Sequence, residues 1–288
     1  MITAIWVTFL LLAVWIGIGL YKDFIKHRNQ LEDNSWAKTG FIGFIANFFD
    51  TLGIGSFAIE TALFKLWKQS EDRLIPGTLN AANALPTIAQ AIIFIQIVEV
   101  DPLTLVLMLV ASAAGAILGA GIVARWPEKN IQVTMGVALL ITAGFLLSKI
   151  FAFEQQGGTA IGLEGPKLFL AVGVNFILGA LMTAGIGLYA PCMALVALLG
   201  MSPQTAFPIM MGSCAMLMPL AGLRFIREGA YNRRASVAIA ITGVIGVLIA
   251  AFLVKKLPIE YLRWLVVLVV VYTAVAMLRS AYKKKVIS

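Results

Sequence analysis

Two acidic residues stand where the sequence is otherwise apolar. Asp50 and Glu60 lie ten residues apart in the stretch 36–67, and Asn47, Asn80 and Asn83 share the same apolar surroundings. An ionised aspartate at the centre of a membrane helix costs ~2.5–3.5 kcal/mol on insertion scales, so such residues are usually functional. Desolvation favours the neutral acid, so a carboxyl here can hold a proton at the moment an anion binds. The chemistry this pattern offers is uptake and release of a proton beside a moving anion, with Asp50 or Glu60 as the coupling group. Each has an alternative role. Asp50 suits the cap of a following half-helix, as Thr51 does. Glu60 can instead face a polar mouth or pair with Lys65. Asn80 and Asn83, with Thr78, can donate hydrogen bonds to anion oxygens without adding charge, or bond between helices.

Other chemistries lack their residues. The only histidine, His27, lies in a polar loop, and the two cysteines, Cys192 and Cys214, sit 22 positions apart in apolar segments. A serine hydrolase lacks its base, a zinc site lacks clustered ligands, and a di-aspartyl site lacks a second buried aspartate. There is no phosphate-binding glycine loop ending in Lys-Ser/Thr. The cysteines read as small packing residues rather than a disulfide framework. Neither cofactor nor metal is called for, and the chain reads as a non-enzyme.

The elements that must position these residues are membrane helices. Hydrophobic residues make up 60% of the 288 and charged residues only 12%, where a soluble domain carries roughly 25% charged. Mean hydropathy is +0.94, which excludes a soluble enzyme or a nucleic-acid binder and leaves a multi-pass protein of the lipid bilayer. Apolar segments fall at 2–21, 36–67, 77–98, 103–124, 131–152, 167–199, 204–224, 234–254 and 261–281. They lack the alternation of barrel strands, so the expected class is an all-α polytopic membrane protein. Residues 2–21 read as a retained helix rather than a signal peptide, for want of a basic start and a cleavage site.

The segments 36–67 and 167–199 are too long for one span each and carry nearly the same words. Thr51-Leu-Gly53-Ile-Gly55-Ser56-Phe-Ala58 returns 132 residues later as Thr183-Ala-Gly185-Ile-Gly187-Leu-Tyr189-Ala190. Ala62 meets Ala194, Pro76 meets Pro208 and Glu128 meets Glu260 at the same offset. The expected organisation is an N-terminal helix and loop (1–35), a first repeat (36–152), a linker (153–166), and a second repeat with a basic tail (167–288). Each repeat would hold a Gly-broken, re-entrant helical hairpin and three spans. Glycines reach the positive φ that a sharp reversal needs, and the freed N–H groups at a half-helix N-terminus favour anions. Two such breaks meeting from opposite sides form the kind of midplane site that secondary transporters use. Gly115 and Gly119, by contrast, read as a close helix contact. Placing the Lys283–Lys285 tail in the cytoplasm puts 225–233, 68–75 and Arg125/Lys129 inside, and Glu99/Asp101 with 153–166 outside. This balance closes when the broken segments are re-entrant and the repeats inverted, with the N-terminus outside and only Lys255 and Lys256 discordant. Arg224, Arg227, Arg233 and Arg234 orient the chain and can also attract anions to a vestibule.

The duplicated T-x-G-I-G word, followed by Arg73-Leu-Ile-Pro76-Gly77-Thr78 and by Gly200-Met-Ser-Pro203-Gln-Thr-Ala206, resembles the TauE/SafE family over residues 36–281. The resemblance implies a bacterial inner-membrane secondary transporter, an exporter of sulfite, sulfonates or sulfoacetate. A passive anion channel and a carrier of carboxylate-type anions are the alternatives. The expected substrate-binding residues are Asn47, Thr51, Gly53, Gly55, Ser56, Asn80, Asn83, Thr183, Gly185, Gly187, Tyr189 and Ser213, with Asp50 and Glu60 for proton coupling. The expected partners are a small organosulfur anion, protons and lipid, with a homodimer left open.

Overall fold

The computed structural model describes residues 2–150, 158–253 and 259–282. The Lys255/Lys256 pair, residues 153–157 of the expected linker and the Lys283–Lys285 run lie outside the described residues. Among the described residues the chain is helical, and six helices are long and apolar enough to cross a membrane. In order they are α1 (Ile2–Lys26), α2 (Trp36–Thr51), α3 (Ser56–Trp67), α4 (Ile75–Ala82), α5 (Ala84–Ile97), α6 (Pro102–Val123), α7 (Glu128–Ile150), α8 (Gly165–Met182), α9 (Tyr189–Leu198), α10 (Ala206–Arg227), α11 (Arg233–Leu253) and α12 (Ile259–Tyr282). Both over-long segments are broken where the glycine words stand. A third break divides 77–98, where the sequence reading expects one helix. Pro86 has no N–H to bond the carbonyl of Ala82, the helix interrupts at Asn83, and it resumes as Thr87 N donates to Asn83 O.

Packing exchanges the two halves. The first helix of each half lies along a helix of the other: α2 against α11, and α8 against α6. Missing side chains let these pairs approach. A Cβ on Gly115 would stand 1.9 Å from the Phe176 carbonyl oxygen, and one on Gly119 would stand 2.7 Å from that of Ala180. The expected close contact at Gly115 and Gly119 is therefore made with α8, and Gly43 repeats it against Ile239 of α11. Pairs of helices that pack through small residues gain from dispersion, not from the exclusion of water. Helix α10 is the most enclosed of the six candidate spans and α1 the least. One face of α1 (Leu10, Leu11, Val14, Ile18) is exposed, which suits contact with lipid.

Hydrogen bonds sort the helix ends into two groups. In one group, Asn34 Nδ2 donates to Gln69 O and to Asn232 Oδ1, and Asn232 N donates to Thr78 Oγ1. There also Arg233 and Tyr231 bind Asp23, Lys65 pairs with Asp72, Gln132 donates to Asp72, and Arg125 and Arg224 pair with Glu228. Burial and the Asp23 carboxylate that accepts its O–H push the Tyr231 phenol well above its ordinary range. In the other group, Asp101 N donates to Ile161 O, Leu163 N to Thr104 Oγ1, and Ser202 N to Ala160 O. The two ends of each broken segment fall in the same group. Ser35 N donates to Gln69 Oε1 at 2.9 Å, joining the start of α2 to the chain just beyond α3. Lys167 Nζ donates to Leu199 O at 3.2 Å, joining the start of α8 to the end of α9.

Candidate functional site

Both breaks are built by the same backbone bonds. At the end of α2, Ile54 N reaches Phe49 O and Gly53 N reaches Asp50 O; at the end of α8, Ile186 N reaches Leu181 O and Gly185 N reaches Met182 O. This is the paired closure of a helix C-terminus by a glycine in left-handed conformation. Gly53 has φ +82° and Gly185 φ +91°. The second glycines differ. Gly55, at φ +96°, is the N-cap of α3, whereas Gly187 is not in the left-handed region. The chain then turns back into a helix whose first amides lack carbonyl partners. Ser56 N is taken by Asp50 Oδ1. The N–H groups of Phe57 and Ala58, and of Leu188 and Tyr189 at the second break, have no partner among the described hydrogen bonds.

The two breaks meet at one cavity of ≈ 40 Å³. Its lining comes from Asp50, from Ile54–Ala58 of the first break, and from Met182, Gly185 and Gly187–Tyr189 of the second. Leu139 and Thr142 of α7 and Met218 of α10 complete it. That volume admits at least one small solute or water, which needs about 10–15 Å³ on this measure. The helices α3 and α9 thus both start at the cavity, from different hairpins.

Asp50 joins the hairpins. Its Oδ2 accepts from Gln90 Nε2 at 2.9 Å and lies 3.0 Å from the Tyr189 hydroxyl, while Tyr189 Oη lies 2.8 Å from Gln90 Oε1. Of the expected roles for Asp50 the structure shows the cap, since it accepts from the first amide of α3, and it also places the residue at the cavity. Glu60 is fully buried away from the cavity lining. Asn83 Nδ2 donates to its Oε2 at 3.0 Å, and Asn47 Nδ2 lies 3.4 Å from its Oε1. Of its two alternatives, an exposed Glu60 at a polar mouth conflicts with its full burial, and a pair with Lys65 is not made, because Lys65 pairs with Asp72. None of the described ion pairs includes Asp50 or Glu60.

Of the other expected residues, Gly55, Ser56, Gly185, Gly187 and Tyr189 line the cavity; Asn47, Thr51, Gly53, Asn80, Asn83, Thr183 and Ser213 are outside its lining. Asn80 Nδ2 donates to Pro76 O within its own helix, and Asn47 Nδ2 donates to Asn83 Oδ1 at 2.8 Å. Thr51 and Thr183 hydroxyls return to Asn47 O and Ala180 O, and Ser213 accepts from Asn175. Gln90 is the residue that sequence reading missed. Its signal was available: Asn83, Thr87 and Gln90 are spaced i, i+4, i+7, one polar stripe in an apolar segment.

The chain matches the family described as sulfite exporter TauE/SafE over residues 1–146 and 168–287. It belongs to the TauE/SafE family. No curated protein and no solved structure matches it. The family is one of membrane anion exporters rather than enzymes, and the apolar spans are those of a multi-pass membrane protein. In this TauE/SafE chain the acidic residue in the cavity's lining is Asp50, while Glu60 is buried outside it.

Proposed function

We propose that this TauE/SafE protein is a proton-coupled secondary transporter that exports small organosulfur anions such as sulfite, sulfonates or sulfoacetate. The carrying observation is the convergence of two half-helix N-termini, α3 and α9, with unpartnered N–H groups on one cavity. An anion is what such a pair of positive helix ends attracts. Carrying the anion's charge through an apolar protein is offset when Asp50, at the same cavity, takes up a proton as the anion binds.

The reading treats residues 36–152 and 167–288 as inverted repeats that rock about this cavity in alternating access. Support comes from the bonded ends of the broken segments: α2–α3 starts and finishes among one group of helix ends, α8–α9 among the other. The first group carries Lys65, Lys68, Arg73, Arg125, Arg227 and Arg234, and the second one lysine, Lys167, with Glu99, Asp101 and Glu164. On this reading the positive-inside rule makes the first group cytoplasmic, with the N-terminus outside and the C-terminus inside, and the family suggests a bacterial inner membrane.

The test is flux of sulfite into liposomes holding the purified protein, with and without a pH gradient. Saturable flux that the gradient accelerates, and that Asp50→Asn uncouples from pH, is the expected result. Non-saturable flux indifferent to the gradient would identify a passive channel instead. A thermal-shift panel of sulfite, sulfoacetate, taurine and plain carboxylates reads the substrate class, since a ligand at 100 times its Kd stabilises by about 2.7 kcal/mol. Stabilisation by carboxylates alone would overturn the organosulfur assignment.

A further inference from the structure

We propose that Gln90 is a positioning residue of the proton site, closing a three-membered ring of hydrogen bonds with Asp50 and Tyr189 that is complete only with a proton on Asp50, and that this ring latches the two broken hairpins over the cavity. The inference rests on the proton-coupled reading above and goes beyond it by naming the residue that holds the proton acceptor and the contact the proton controls.

The argument is a count of hydrogens. A tyrosine hydroxyl has one proton, and a carboxylate has none. Tyr189 Oη lies within hydrogen-bond distance of two acceptors, Asp50 Oδ2 at 3.0 Å and Gln90 Oε1 at 2.8 Å. Gln90 Nε2 spends one hydrogen on Asp50 Oδ2 at 2.9 Å and the other on Thr51 Oγ1 at 3.1 Å. The Thr51 hydroxyl has already donated to Asn47 O. With Asp50 ionised, one oxygen–oxygen contact has no hydrogen in it. With one proton on Asp50 Oδ2 every contact is satisfied: Asp50 donates to Tyr189, Tyr189 to Gln90, and Gln90 to Asp50. Exchanging the Gln90 amide oxygen and nitrogen reverses the direction of the ring and still requires the proton on Asp50, so the count does not depend on how the amide is turned.

The ring also spans the site. Asp50 ends α2 in the first broken segment, Tyr189 begins α9 in the second, and Gln90 stands on α5 beside both. The titratable groups facing Asp50 are Glu60 of α3, Tyr189 of α9 and Cys214 of α10. No described ion pair supplies a cation to replace the proton. Losing that proton leaves the one Tyr189 O–H to the carboxylate and the Tyr189 Oη–Gln90 Oε1 contact without a hydrogen, so the ring opens between α9 and α5 while Tyr189 still holds Asp50.

Infrared difference spectra of the full chain in lipid test the ring directly. The spectrum of the unaltered protein minus that of Asp50→Asn is expected to contain a carboxylic-acid C=O band. Tyr189→Phe and Gln90→Leu should shift that band to higher wavenumber, and hydrogen exchange of residues 183–189 should rise in both. Tyr189→Phe removes a single oxygen and tests the ring even where Gln90→Leu does not fold. Absence of an acid band at the pH of transport, or a band that neither variant moves, overturns the ring. Proton-dependent sulfite flux left intact in Asp50→Asn overturns instead the coupling role on which the ring rests.

Discussion

Gly185 and Gly187 share one word of sequence yet should respond oppositely to the same substitution. Gly185 holds φ +91°, and an added Cβ would meet Met135 Cε at 2.9 Å and Cγ at 3.1 Å. Backbone forced into the left-handed region costs about 1–3 kcal/mol for a residue with a side chain. Alanine recovers about 0.4–1 kcal/mol by restricting the unfolded chain, so Gly185→Ala is expected to destabilise by about 1–2 kcal/mol before any cost of displacing the Met135 side chain. Gly187 lies outside that region and has no atom within 4 Å of an added Cβ. Gly187→Ala should therefore be neutral or more stable by up to about 1 kcal/mol. Function should divide the other way, because Gly187 lines the cavity and a methyl there narrows the path to the α9 amides. Thermal unfolding in detergent, paired with sulfite flux in liposomes, reads both quantities. The expected pattern is a lowered midpoint for Gly185→Ala, and an unchanged midpoint with reduced flux for Gly187→Ala. A Gly187→Ala protein destabilised as much as Gly185→Ala would refute the assignment of the turn to the first glycine of the word.

Gly115→Ala should separate α6 from α8, since its Cβ would stand 1.9 Å from the Phe176 carbonyl oxygen; a loss of at least about 2 kcal/mol is expected, against a neutral Gly144→Ala with nothing within 4 Å, both by thermal unfolding. Tyr231→Phe removes the 2.7 Å bond to Asp23 Oδ2 and should cost about 1.5 kcal/mol, the lower end for a bond to a charged group, because Asp23 keeps Arg233 at 2.7 Å. The hydrogen bond from Arg125, with Arg224 beside it, holds the Glu228 carboxyl below its ordinary value. Its contribution is thus present above the unfolded-chain value near 4.3 and is lost as pH falls through the lower folded value. Unfolding midpoints of the protein and Glu228→Gln, measured against pH and at raised salt, should converge at low pH.

Much of this architecture is legible from the residues alone. Loop positions followed from where charge and proline interrupt the apolar runs, and both hairpin breaks followed from the duplicated Thr-x-Gly-Ile-Gly word. The break at Asn83 was equally written, in Pro86, but a lone proline in an apolar run also occurs in helices that only bend. The site was less legible because a sequence shows which groups are polar without showing which neighbour claims them. Asn80 reads as a donor to an anion, yet its amide is used by Pro76 O in its own helix. Glu60 reads as reachable from Lys65, five residues away or less than two turns, but the lysine turns to Asp72. Gln90 carries no charge, and the polar stripe it shares with Asn83 and Thr87 says which face it takes but not that Asp50 and Tyr189 stand on either side.

The two halves are alike in backbone and unlike in chemistry, and that difference bears on coupling. At the positions of Asp50, Glu60 and Asn47 the second half has Met182, Cys192 and Gly179. Its interior is sulfur-rich where the first is oxygen-rich, with Cys214 Sγ 3.5 Å from Met182 Sδ. A symmetric pair of carboxylates would place two like charges at one small cavity, and each would oppose the anion that the helix N-termini attract. In the proposed mechanism one carboxyl avoids this: both half-helices supply N–H groups, while a single proton at Asp50 switches the local charge. The hairpin without a carboxyl still takes part, because Tyr189 reaches across to Asp50. On the proposed repeat reading, duplication accounts for two breaks at one cavity, and divergence for a carboxyl at only one of them.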